Sequence, residues 1–206
     1  MQTALAIIAA YLVGSIPFAM ISSKIFGLAD PRTYGSGNPG ATNVLRSGNK
    51  KAALFTLIGD ALKGTLAVVV AKQMGLDDTT IALVALAVFL GHLYPVFLGF
   101  KGGKGVATAA GVLFALDPLL GAAVAGTWLL VAYVSRYSSL AALVAAAAAP
   151  LFAALMHGAT NQTIVVGILG MALIGKHWQN IQRLLAGQES KIGGKKRPEF
   201  GRRTPL

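Results

Sequence analysis

The chain is a succession of apolar runs, each close to the length of a membrane crossing, separated by polar segments rich in glycine and charge. A membrane-spanning helix needs roughly 20 mostly apolar residues, and lipid leaves the backbone no alternative but a helix or a closed barrel. Alternation of polar and apolar positions, the mark of strands, is absent, so the pattern predicts an all-α, polytopic membrane protein. Seven runs qualify, at about 3–23, 52–72, 80–99, 105–117, 118–134, 139–156 and 162–183. The fourth is short and ends at Asp117-Pro118, where proline favours a break, so it is either a short crossing or a re-entrant half-helix. Gly14-Ser15-Ile16-Pro17 predicts a kink in the first run. Alanine and glycine are frequent throughout, Ala145 to Ala149 included, as close packing of membrane helices requires. The expected organisation is one membrane domain over 1–187 and a basic tail over 188–206.

Composition supports this pattern. Of 206 residues 55% are hydrophobic and 12% charged, against roughly 25% charged in soluble domains. The mean hydropathy of +0.66 excludes a disordered chain and speaks against a soluble enzyme. There is no cysteine, which removes disulfides, thiolate metal sites and cysteine nucleophiles. A formal charge of +11 would suggest nucleic acid in a soluble protein, but here the cations sit between apolar runs and no nucleic-acid partner is expected.

The cations also give a direction. Lys24, Arg32, Arg46, Lys50 and Lys51 fall in or near the first connection, Lys101 and Lys104 in the third, and Arg136 in the fifth. Eight more Lys or Arg follow from Lys176 onward. Asp77, Asp78 and Asp117 lie in the alternate connections, where Lys72 is the cation close by. The positive-inside rule therefore predicts an outer N-terminus and a cytoplasmic C-terminus. No basic residue precedes the first run, so it is expected to be a retained helix rather than a secretory signal.

Two connections carry candidate chemistry. The first contains Tyr34-Gly35-Ser36-Gly37-Asn38-Pro39-Gly40-Ala41-Thr42-Asn43, followed by Val44-Leu45-Arg46. Glycines allow successive N–H groups to point into one concavity, Thr42 or Asn43 is a candidate N-cap, and Arg46 offers a fork to phosphate oxygens. The third reads Gly99-Phe100-Lys101-Gly102-Gly103-Lys104-Gly105-Val106-Ala107-Thr108. It departs from a P-loop, since the glycine spacing is one residue short and Gly105 stands where Ser or Thr is required. The two lysines alone would read as positive-inside anchors, but an anchor needs no bare backbone. Two glycine-rich, cationic helix starts on one membrane face argue for a phosphorylated ligand.

Other polar groups fall at membrane depth. Asp60 and Lys63 stand at i, i+3 on one helix face, where they either neutralise each other or mark function. His92 precedes the bend at Pro95 and Gly99, and reads as hydrogen-bonded packing or as a ligand. Arg136-Tyr137-Ser138-Ser139 forms a short polar turn, and His177 and Asn180 share a face at the inner end of the last run.

Taken together these strings resemble the bacterial membrane-integral glycerol-3-phosphate acyltransferases that use acyl phosphate as donor. The resemblance runs through Gly14-Ser15-Ile16-Pro17, Gly35-Ser36-Gly37-Asn38, Gly40-Ala41-Thr42-Asn43, Asp60 with Lys63-Gly64, Gly91-His92, and Pro95-Val96-Phe97. It continues through Lys101-Gly102-Gly103-Lys104-Gly105-Val106-Ala107-Thr108, Arg136-Tyr137-Ser138-Ser139 and His177…Asn180-Ile181…Arg183-Leu184. It implies a seven-helix inner-membrane enzyme that makes 1-acyl-glycerol 3-phosphate and phosphate, the first acylation of phospholipid synthesis. By match to the family motifs, Ser36, Arg46, Lys104, His177 and Asn180 would hold glycerol 3-phosphate, with Ser36, Lys104, His177 and Asn180 at the reacting groups. Thr42, Asn43, Gly102, Gly103 and Ser139 would line the neighbouring phosphate site, Gly37 and Asn38 would also bind substrate, and Lys101 belongs to the motif. The resemblance implies no cofactor and no metal. Its implied partners are the two substrates, membrane lipid and an enzyme producing acyl phosphate.

The residue inventory agrees with that chemistry. Other glycerolipid acyltransferases carry a His with an Asp five positions later. Here the residues five after His92, His157 and His177 are Phe97, Gln162 and Gln182. An acyl phosphate is already an activated anhydride, so a site need only position two anions and stabilise charge. The expected mechanism is substrate-assisted, without a covalent acyl-enzyme. The rival expectations are an organic-phosphate transporter, which broken helices would also suit, and a lipid phosphotransferase, which lacks an Asp-rich metal motif here.

Overall fold

Every regular element is helical among residues 1–193, the part of the chain that the computed structural model describes. Residues 194–206, most of the expected tail, lie outside the described residues. The first apolar run is two helices, α1 (Gln2–Gly14) and α2 (Phe18–Ile25), parted at Ser15-Ile16-Pro17 as the Gly-Ser-Ile-Pro string predicts. A short α3 (Ala41–Leu45) sits in the first connection, before α4 (Lys50–Gln73). Next come α5 (Asp78–Leu93), a single 3-10 turn at Val96–Leu98, α6 (Val106–Leu116), α7 (Pro118–Ser135), α8 (Ser138–His157), α9 (Asn161–Lys176) and α10 (Trp178–Leu185).

Five segments are long and apolar enough to cross a membrane: Gln2–Ile25, Lys50–Gln73, Asp78–Leu98, Pro118–Ser135 and Ser138–His157. The two remaining runs are shorter helices, α6 with 11 residues and α9 with 16. At 1.5 Å per residue α6 is about 16 Å long, half of a hydrocarbon core near 30 Å. The expected run 162–183 is interrupted at His177, because α10 places Gln179, Asn180, Gln182 and Arg183 where a crossing would need apolar residues.

Small residues let the backbones touch. A Cβ on Gly91 would lie 2.2 Å from the Tyr11 carbonyl oxygen of α1, and one on Gly111 would lie 2.0 Å from that of Ala61 in α4. Polar groups close the helix ends. Asp117 accepts the Leu119 and Leu120 N–H groups at 2.6 and 3.1 Å, and Lys72 Nζ donates to the Leu116 carbonyl at 2.7 Å. The first connection is capped differently from the sequence expectation. Thr42 and Asn43 lie inside α3, whose N-cap is Gly40, and Asn49 caps α4 by accepting the Ala52 N–H at 3.0 Å.

The cationic connections gather at one end. The Thr42 and Ser138 hydroxyls stand 3.5 Å apart, Arg46 reaches Ser190 at 2.7 Å, and the Ile192 N–H donates to the Arg136 carbonyl at 2.7 Å. Asp77, Asp117 and His157 occupy the other end, where His157 Nε2 lies 3.0 Å from Asp117 Oδ2.

Candidate active site

The first connection is shaped by one buried side chain. Asn43 is 2% exposed. Its amide donates to the Pro31 and Tyr34 carbonyls at 2.6 and 3.2 Å, and its Oδ1 accepts the Ser36 N–H at 2.9 Å. Gly35, at φ +60°, passes so close to that oxygen that a Cβ would lie 2.2 Å away. Asn43 therefore ties the glycine-rich loop together, and its amide is spent before any ligand arrives. The N–H groups of Gly37 and Gly40 also bond within the loop, to Tyr34 and Asn38.

The third connection shows the same economy of donors. Gly102 and Gly103 give their N–H groups to the Leu93 and His92 carbonyls at 3.3 and 3.1 Å. These carbonyls end α5 and would otherwise be orphaned. The expected cradle of bare N–H groups is thus not formed by Ser36, Gly37, Gly102 or Gly103. Gly102 and Gly103 serve close packing of protein on protein, and Gly37 serves a turn at φ +66°.

What these loops do present is side chains. Lys104 Nζ donates to Asn180 Oδ1 across the gap between the third connection and α10. The Asn180 Nδ2 donates to Glu189 Oε1 at 2.9 Å, and Arg183 Nε donates to Glu189 Oε2 at 2.8 Å. A carboxylate can only accept, so Glu189 fixes which way the Asn180 amide faces and turns its oxygen to Lys104. Burial pushes the Lys104 ammonium down to about 8; Arg183 and Arg46 add repulsion and Glu189 opposes them. Burial alone would raise the Glu189 carboxyl, but hydrogen bonds from Arg183 and Asn180 hold it below its usual range.

His177 marks the joint between α9 and α10 and is 4% exposed. Its Nδ1 stands 2.9 Å from the Leu173 carbonyl, which can only accept, so the proton sits there and Nε2 is the free acceptor. Burial pushes the imidazole down to about 4, against the pull of that carbonyl and with added repulsion from Lys104. The ring is neutral at pH 7. Ser139, buried at the start of α8, has a hydroxyl with no hydrogen-bond partner among the described residues. Ser36 and Asn38 are half-buried on the first loop, while Thr42 and Lys101 are exposed.

Arg46, Lys104, Arg183, Asn180 and His177 thus come together from three separate segments. Glu189 is the member that motif reasoning passed over, and Arg183 stood in a matched string without a site role. The signal for Arg183 was its i, i+3 spacing from Asn180. For Glu189 it was a lone acid, the one between Lys176 and Glu199, in a basic stretch. A cluster of three cations tempered by one carboxylate, with a neutral imidazole acceptor beside it, suits binding a phosphate monoester and stabilising negative charge.

Comparison with known proteins gives the family. The family model for glycerol-3-phosphate acyltransferase matches residues 4–187. A glycerol-3-phosphate acyltransferase of Dechloromonas aromatica is 79% identical over 197 residues, covering 96% of this chain and 100% of the relative. One from Burkholderia ambifaria is 61% identical over 199 residues, covering 96% and 94%. The fold is similar to crystal structures of PlsY (YgiH), an integral membrane glycerol 3-phosphate acyltransferase. Its glycerol 3-phosphate form superposes with a TM-score of 0.89 at 41% identity, over 94% of this chain and 96% of that one. The lysophosphatidic acid form gives 0.86 at 40% identity, over 93% and 95%.

Proposed function

The chain belongs to the glycerol-3-phosphate acyltransferase family, and from that premise we propose that it transfers an acyl group from acyl phosphate to the sn-1 hydroxyl of glycerol 3-phosphate. It is a multi-pass integral membrane acyltransferase, and acylation of glycerol 3-phosphate is its reaction. The organic-phosphate transporter and phosphotransferase expectations give way to that family membership. The single observation that carries the donor and the mechanism is the convergence of Lys104, Arg46 and Arg183 around Asn180, beside a neutral His177.

In this reading Arg46, Lys104, Ser36, His177 and Asn180 hold the substrate phosphate and glycerol. Thr42, Ser139 and the Gly102-Gly103 segment line the place of the acyl phosphate. The glycerol hydroxyl oxygen attacks the acyl carbon, and the bond between that carbon and the phosphate oxygen breaks. The hydroxyl proton leaves on the departing phosphate, so the products are 1-acyl-glycerol 3-phosphate and inorganic phosphate. The leaving group is already a good one, and the cations stabilise charge on it and on the carbonyl oxygen. The cationic end faces the cytoplasm of a bacterial inner membrane, as the positive-inside rule directs. An acyl-phosphate-producing enzyme then supplies the donor from that side.

The test is an incubation of purified protein with glycerol 3-phosphate and acyl phosphate. The expected result is lysophosphatidate and phosphate in equal amounts, with acyl-coenzyme A unused or weakly competing. Equal turnover of acyl-coenzyme A would overturn the assignment of the donor.

A further inference from the structure

Three titratable side chains lie within the membrane-spanning part, where the chemistry above makes no use of them. Lys63 Nζ and Asp60 Oδ1 on α4 pair at 2.8 Å, with side chains 3% and 4% exposed. His92, near the end of α5, brings its Nδ1 to 3.4 Å from the same Asp60 oxygen. An ion pair that merely neutralises itself in lipid needs Asp60 and Lys63 alone. It gives no reason for His92 to share the oxygen.

The surroundings of the ring supply one. The Nδ1 edge of the ring faces Asp60, which leaves Nε2 on the opposite side. A Cβ on Gly103 would stand 2.2 Å from that Nε2 and 3.1 Å from the Pro39 carbonyl oxygen. Gly103 is therefore gripped between the His92 ring and the first connection. The main chain adds to the grip, since the His92 and Leu93 carbonyls take the Gly103 and Gly102 N–H groups. Lys63 also donates to the Ile16 carbonyl at 2.8 Å, at the break between α1 and α2. Asp60, Lys63, His92, Gly102 and Gly103 all border one cavity of about 10 Å³.

We propose that Lys63, Asp60 and His92 are positioning residues: they hold the imidazole edge against Gly103 and so set where the adjacent Lys104 delivers its ammonium. This rests on the function proposed above, with Lys104 as a ligand of the substrate phosphate. Neighbouring Cα atoms are about 3.8 Å apart, so a displaced Gly103 displaces Lys104. A misplacement near 1 Å in a substrate-positioning group costs on the order of 100-fold.

The experiment compares Gly103→Ala in the natural chain and in a His92→Ala background, with kcat, KM for glycerol 3-phosphate and detergent melting temperature measured together. In the natural chain the new methyl meets the ring, so the melting temperature should fall and KM should rise about tenfold or more. With His92 truncated, the same change should cost less than about threefold. Equal cost in both backgrounds means that ring and glycine are independent, and overturns the proposal. If His92→Ala cannot be recovered folded, His92→Asn replaces it, keeping a donor for Asp60 while withdrawing the ring edge. A second pair of changes tests the ion pair. Asp60→Asn with Lys63→Met removes both charges, and should raise KM several-fold if the pair holds His92. A kinetically silent double variant means self-neutralisation and overturns the role of Asp60 and Lys63. If the natural protein shows no transfer from acyl phosphate, the functional reading fails by itself. The brace is then decided by whether the melting effects of Gly103→Ala and His92→Ala are coupled.

Discussion

At the scale of single residues, two protonation states make the proposed chemistry testable. The Lys104 ammonium, lowered to about 8, is charged at neutral pH and discharges as pH rises through that value. Anion binding is lost with the charge, so kcat/KM for glycerol 3-phosphate should fall about tenfold per pH unit above about 8. Glu189 opposes this lowering, so Glu189→Ala should move the alkaline limb to lower pH, and Lys104→Arg should carry it far above 8. An unmoved limb in both variants would remove Lys104 from substrate binding. His177 behaves oppositely. With its imidazole lowered to about 4, no acidic limb belongs near the ordinary histidine value. His177→Gln keeps a polar group beside the substrate, and its kcat on acyl phosphate should stay within about tenfold. A loss of about 10²–10⁴-fold, the range for removing a general base, would make Nε2 the proton acceptor. The motif strings pointed to both residues, but the charge state of Lys104 depends on burial and on Arg183, Glu189 and Arg46, which lie far from it in sequence, and that of His177 on burial, the Leu173 carbonyl, Lys104 and Glu189.

At the scale of elements, short helices and breaks shape the candidate site and glycine contacts carry the packing. The α1–α2 break exposes the Ile16 carbonyl that Lys63 takes, and the break after α9 turns His177 and Asn180 toward Lys104. Gly111→Ala tests the packing side. Its methyl would lie 2.0 Å from the Ala61 carbonyl oxygen, so α6 must move away from α4. Overpacking of this kind costs roughly 1–3 kcal/mol, and a lowered melting temperature in detergent with KM nearly unchanged is the expected outcome. A raised KM without destabilisation would mean that α6 also sets the site. Glycine and alanine in a hydrophobic run announce close contact, but which carbonyl they meet is a property of the assembled bundle. The expected N-cap role of Thr42 and Asn43 failed for a related reason. Asn43 gains more from tying down three main-chain groups of its own loop than from capping α3.

At the scale of the molecule, the cationic end and the acidic end lie at opposite ends of the helical bundle. Helix α4 runs 24 residues, about 36 Å, and joins the two. The chain contains no cysteine, so Lys51→Cys and Gln73→Cys each introduce a single label site near one end of that helix. An impermeant thiol reagent should reach the residue 73 variant from outside and the residue 51 variant only from the cytoplasm. Labelling of both from one side would break the topology.

Hydropathy and charge order in the sequence alone determined the helical class, the succession of apolar runs and the expected sidedness, because lipid enforces helices and the positive-inside bias wherever they occur. The glycine-rich strings likewise pointed to the connections where the candidate site is proposed. The tertiary structure decided what those glycines do, because a bare backbone looks the same in sequence whether an anion or a neighbouring helix approaches it. At Gly102 and Gly103 it is the end of α5 that approaches, with its carbonyls and the His92 ring. Glu189 gained its place in the same way: a carboxylate in a basic stretch has no meaning until folding sets it between Asn180 and Arg183.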